Sequence, residues 1–105
     1  MKLRIYKDSI RFRFTRDEAK ALGEGSALAE YVAIGPLEEQ RLAYRVVPNG
    51  TEGIRVAFTD RTLTVYVPQL DLLTWYEGEN LTLEATQSWN GGHVRLSLEK
   101  DLQRL

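Results

Sequence analysis

The chain contains no cysteine, so disulfides, thiolate metal sites and thiol catalysis are excluded outright. It has one histidine, His93, so no H-x-x-x-H metal spacing can be written, and the expectation is no metal and no cofactor. Neither sign of charge is in excess: Lys+Arg is 14 against Asp+Glu 15, for a net charge of −1. No global field therefore draws the chain toward nucleic acid or an anionic membrane. No run approaches the roughly 18 apolar residues of a membrane span. The opening Met1-Lys2-Leu3-Arg4 alternates like a strand and has no apolar signal-peptide region. A soluble cytoplasmic protein is the expectation, and the sequons Asn49-Gly50-Thr51 and Asn80-Leu81-Thr82 carry no weight. Phosphate-binding loops of the G-x-x-x-x-G-K and G-x-G-x-x-G kinds are absent as well.

What the chain does have is an internal echo. Its 105 residues suit a single domain over 1–105, long enough to bury about two-thirds of the unfolded surface. Shifted by 53 positions, Leu3 and Ile5 fall on Val56 and Phe58, and Ile10, Phe12 and Phe14 fall on Leu63, Val65 and Val67. Leu22 meets Trp75, and Glu24-Gly25 meets Glu77-Gly78. One residue out of phase, Leu42, Tyr44 and Val46 match Val94, Leu96 and Leu98. The recurrence reads as two ββαββ halves, 2–47 and 54–99, about a pseudo-twofold.

Local signals agree with that scheme. Leu3, Ile5, Ile10, Phe12 and Phe14 alternate with polar residues around a Lys7-Asp8-Ser9 turn, which predicts a hairpin with the apolar set facing in. Thr15-Arg16-Asp17-Glu18 fits a capping box, in which the Thr15 hydroxyl accepts the Glu18 N–H. The helix buries Ala19 and Leu22 and stops at Gly23 or Gly25. Strands follow at 28–34 and around Leu42, Tyr44 and Val46. In the second half Ile54, Val56 and Phe58 face in, then Leu63, Val65 and Val67. Pro68 opens a helix carrying Leu72, Trp75 and Tyr76 on one face, ended by Gly78. Leu81, Leu83 and Ala85 mark the seventh strand, and Val94, Leu96 and Leu98 the eighth. The predicted class is α+β: about eight short, mostly antiparallel strands with two short helices, as a sandwich or a half-barrel.

Three stretches resemble a family of small bacterial domains of unknown function. They are the opening Met-Lys-Leu-Arg-Ile with Ser9-Ile10-Arg11-Phe12-Arg13-Phe14-Thr15, the segment Leu63-Thr64-Val65-Tyr66-Val67-Pro68 before a helix containing Trp75, and the ending Leu98-Glu99-Lys100-Asp101-Leu102. In many members a cysteine follows the Glu-Lys-Asp; here Gln103-Arg104-Leu105 stands instead. The resemblance implies the fold and supplies no catalytic residue.

Four surface features are candidates. Lys2, Arg4, Arg11 and Arg13 share the outward face of the first hairpin, where they can hold phosphates or an acidic partner, or simply keep an edge soluble. Balanced charge and few aromatics argue against nucleic acid. His93 can act as a general base, though a surface histidine at a strand entrance is the simpler reading. Glu99 and Asp101, either side of Lys100, can act as a carboxylate pair, though carboxylates that are solvated, or paired with arginines such as Arg95, are the simpler reading. Trp89, beside the Asn90-Gly91-Gly92 tip, and Leu37 in the corresponding loop of the first half form a possible apolar contact surface. The expectation is a non-catalytic binding or accessory domain with a protein partner or self-association. Anion binding on the basic face is the alternative, and a small enzyme with a pocket near His93 and Glu99 a further one.

Overall fold

The computed structural model describes residues 1–50 and 52–101; Thr51, Leu102 and the Gln103-Arg104-Leu105 ending lie outside them. The first unit runs β1 (Lys2–Tyr6), β2 (Ser9–Phe14), α1 (Arg16–Gly23), β3 (Leu28–Ala33) and β4 (Arg41–Asn49). The second runs β5 (Arg55–Thr59), β6 (Thr62–Pro68), α2 (Gln69–Glu77), β7 (Thr82–Trp89) and β8 (Gly92–Lys100). A 3₁₀ turn at Glu38–Gln40 interrupts the β3–β4 connection.

The strands form two four-stranded sheets, ordered β1-β2-β8-β7 and β3-β4-β6-β5. Read from its other edge the second order is 5-6-4-3, so exchanging the two units maps one sheet onto the other. Each sheet takes one hairpin from each unit. Hairpin pairing is antiparallel, as expected, but the centre of each sheet is parallel: β2 beside β8, with Phe12 level with Leu98, and β4 beside β6, with Val46 level with Val65. Parallel neighbours cannot be joined by a tight turn. Here they need no direct link, because they come from different units.

Each helix carries the chain from one sheet to the other across the same end of the sandwich. The capping box of α1 forms: the Glu18 N–H donates to Thr15 Oγ1 at 3.2 Å, and the Thr15 N–H donates to Glu18 Oε1 at 2.9 Å. Ala19 and Leu22 of α1 and Leu72 and Trp75 of α2 are buried, with Leu22 and Trp75 at corresponding places. The helices cross closely at Gly23, where an added Cβ would lie 3.0 Å from Tyr76 Cβ. Gln69 Nε2 donates to the Leu22 and Gly23 carbonyls at 3.3 and 2.9 Å, satisfying the last turn of α1. Lys100 does the same for α2, its Nζ donating to Trp75 O at 2.6 Å and Gly78 O at 2.8 Å.

Lys100, the middle residue of the Glu-Lys-Asp ending, is only 7% exposed. Its phase on β8 is the inward one of Leu96 and Leu98, which places the cation over α2's carbonyl end, where the helix dipole favours positive charge. Desolvation pushes its pKa below the ordinary lysine value. Beneath the helices Phe12, Phe14, Val46, Val65, Val67 and Leu98 are fully buried. Each such side chain contributes about 1.5–3 kcal/mol. The Phe14 ring meets Trp75 edge-on at 5.7 Å.

Candidate functional site

All four strand-to-strand connections within the hairpins lie at the end opposite the helices, and among the described residues neither α-helix crosses that end. Burial falls along the strands toward it. Phe12 is sealed and Ile10 only partly; Val46 is sealed, Tyr44 and Leu42 partly; Leu98 and Leu96 are buried and Val94 partly. Ile5 and Phe58, expected in the core, are instead 60% and 64% exposed. The alternation correctly aimed them between the sheets, but among the described residues no further layer covers that rung. Leu81, expected in the seventh strand, precedes β7 and is exposed too.

The uncovered rung surrounds a cleft of about 390 Å³, lined by Ile5, Ile10, Leu42, Phe58, Leu63 and Trp89 among others. One polar side chain, Gln87, lines it. Both ends of its amide are engaged: the Val56 N–H donates to Oε1 at 2.8 Å, and Nε2 donates to the Val56 carbonyl at 2.9 Å. Gln87 thus ties edge strand β7 of one sheet to edge strand β5 of the other. It was not singled out from the sequence, although a lone polar residue in the inward phase between Ala85 and Trp89 is its signal.

Trp89 is the last residue of β7 rather than a loop residue, and it points inward at the rim, 57% exposed. Its ring lies along the Gly92 backbone, where a Cβ would come within 3.0 Å of it. Glycine at 92 therefore sets the ring's position across the cleft mouth. Leu37 is exposed at the same end but does not line the cleft. Two turns flank the mouth, and three charged residues in them, Lys7, Asp60 and Arg61, hold positive φ values of 52°, 51° and 61°. Glycine or asparagine is the residue such turns favour.

The remaining candidates separate. His93 Nε2 contacts Asp8 Oδ2 at 2.7 Å, and Arg95 Nη2 donates to Asp8 Oδ1 at 3.1 Å. That hydrogen bond, with the charge of Arg95, holds the Asp8 carboxyl below the usual range. Among the described residues no serine hydroxyl bonds His93. Glu99 pairs with arginines, as expected, but these are Arg13 (3.1 Å) and Arg11 (3.5 Å) rather than Arg95, which pairs with Asp8. His93 and Glu99 stand six residues apart on β8, roughly 20 Å by strand rise. Lys2, Arg4, Arg11 and Arg13 do share one face, though Arg11 and Arg13 are not free. Among the described residues no group of three or more His, Cys, Asp or Glu side chains could hold a metal ion, and no helix is long and apolar enough to cross a membrane.

A family model described as a family of unknown function (DUF7009) matches residues 1–105. The chain belongs to this family. No curated protein and no solved structure matches it. Membership carries no activity to the site, so the chemistry of the site must be argued from its own residues.

Proposed function

We propose that the chain is a non-catalytic docking domain whose working surface is the open apolar end, and that the polypeptide it takes there is a second copy of itself. The observation that carries this reading is the ring of Ile5, Phe58 and Trp89 left exposed around an apolar cleft. Large aromatic and aliphatic anchors beside a pocket are the usual source of interface affinity. The cleft's one polar side chain is committed to Val56, leaving little to orient a reacting group.

Charge selects the second copy. Under the 53-residue shift Lys7 falls on Asp60 and Asp8 on Arg61, so the two turns beside the mouth carry reversed charges. A twofold axis that brings two mouths together can set each copy's β1–β2 turn against the other's β5–β6 turn, opposing Lys7 to Asp60 twice. Charged residues held at positive φ where glycine would relax the turn fit a surface kept for contact. A net charge of −1 leaves little repulsion between copies.

Sedimentation equilibrium across a concentration series tests this. A dimer is expected that Trp89→Ala weakens without lowering the unfolding midpoint. Lys7→Asp should weaken it as well, and Lys7→Asp with Asp60→Lys should restore it. A mass that stays monomeric up to about millimolar chain, the weak end of specific association, overturns the reading.

A further inference from the structure

The outer face of the β1-β2-β8-β7 sheet, opposite the face that borders the apolar cleft, carries a second arrangement. Its cross-strand register sets Lys2 directly opposite Arg13 and Arg4 directly opposite Arg11. Like charges facing each other across an antiparallel pair oppose strand pairing. Here two such pairs stand side by side, and Glu99 engages Arg13 and Arg11. Among the described residues Lys2 and Arg4 have no counter-ion. The four cations enclose a gap of about 60 Å³. That is several times the roughly 10–15 Å³ that one water requires, so a small oxyanion can enter it.

The gap adjoins a broader polar trough of about 440 Å³, with Arg11 common to both. Along one row of the sheet Arg11 is level with Ser97, and Ser97 with Glu84. The small serine makes the floor between two long side chains. Thr86 and Arg95 stand on the next row, also level with each other. The trough thus offers hydroxyls, a carboxylate and a guanidinium on adjacent rows, beside the cationic gap.

We infer that this face binds a small phosphomonoester with a hydroxylated body. Its phosphate lies among Lys2, Arg4 and Arg11, and its hydroxyls lie over Ser97, donating to Glu84. An extended polyanion fits less well, because Glu84, Glu99 and Asp8 interrupt the positive surface on the side a second phosphate would have to follow.

Titration of the full chain with ribose 5-phosphate, inorganic phosphate, sulfate and ribose, followed by amide chemical shifts and calorimetry, tests the assignment. Ribose 5-phosphate should saturate, about tenfold tighter than inorganic phosphate, and shift the amides of Arg4, Arg11, Ser97 and Glu84. Ribose alone should be silent. Arg4→Ala and Lys2→Ala, each checked for an unchanged circular dichroism spectrum, should each weaken both phosphate ligands several-fold. Glu84→Gln should weaken ribose 5-phosphate and spare inorganic phosphate. Equal, unsaturable responses to sulfate, phosphate and ribose 5-phosphate would overturn the site. A single-stranded oligonucleotide binding tighter than ribose 5-phosphate, with a steep salt dependence, would overturn the choice of ligand in favour of nucleic acid.

Discussion

Ile5 and Phe58, separated by 53 positions in sequence, occupy the same rung of corresponding strands and are exposed to nearly the same degree, 60% and 64%. Each faces the space between the sheets, and each is the last inward-facing residue of its strand before the turn. The two units thus carry their apolar pattern one rung beyond the point where the core closes, and they do so symmetrically. With Trp89 that rung makes the rim of the cleft.

The core and the rim should respond differently to truncation. Phe12→Ala, in the sealed core, is expected to cost roughly 3–5 kcal/mol. Phe58→Ala, at the rim, should cost less than about 1 kcal/mol to the monomer, in the range of surface changes. Urea unfolding of both variants at low chain concentration checks this. Equal losses would mean the rim is part of the core.

Neither unit should fold alone. Each sheet needs a hairpin from both units, so residues 1–50 by themselves would leave β2 and β4 without their parallel partners β8 and β6. A peptide of 1–50 is expected to show a disordered amide spectrum, whereas the whole chain should unfold in one transition. Two separate transitions in calorimetry would contradict this.

Removing the cation under α2 should be costly. Lys100→Ala leaves the Trp75 and Gly78 carbonyls without their donor and opens space beside the Trp75 ring. Hydrogen bonds from a charged donor are worth about 1.5–3 kcal/mol, and a loss in that range is expected from denaturant titration. A change below about 0.5 kcal/mol, the scale of an ordinary surface site, would show that water replaces the ammonium.

Acid should remove the Asp8 contact. The Arg95 hydrogen bond and charge hold the Asp8 pKa below its ordinary value. A lowered carboxyl pKa stabilises the fold above the unfolded pKa, near pH 4, and that contribution disappears as pH falls through the folded value. Asp8→Asn should therefore be less stable than the parent at neutral pH and converge with it in acid. A difference that stays constant from pH 7 to pH 2 would rule out the ion pair as its cause.

Sequence alone determined the local plan. Thr15 and Glu18 wrote the start of α1, Gly78 the end of α2, and the alternation of Ile10, Phe12 and Phe14 fixed which strand face turns inward. These are short-range effects, set by backbone hydrogen-bond geometry and the two-residue period of a strand. The shift of Leu22 onto Trp75 exposed the repeat, because equivalent core positions demand apolar side chains in both units. Tertiary structure decided the rest. Alternation reports the direction of a side chain and not whether another layer covers it, so Ile5 and Phe58 were indistinguishable in sequence from Phe12 and Val65. The exchange of hairpins between sheets, which sets β2 beside β8, depends on where each helix crosses rather than on any residue in the strands. Glu99 found Arg13 instead of Arg95 because strand register, a long-range property, chose its neighbour. Lys100 became a helix cap only because the end of β8 lies beneath α2.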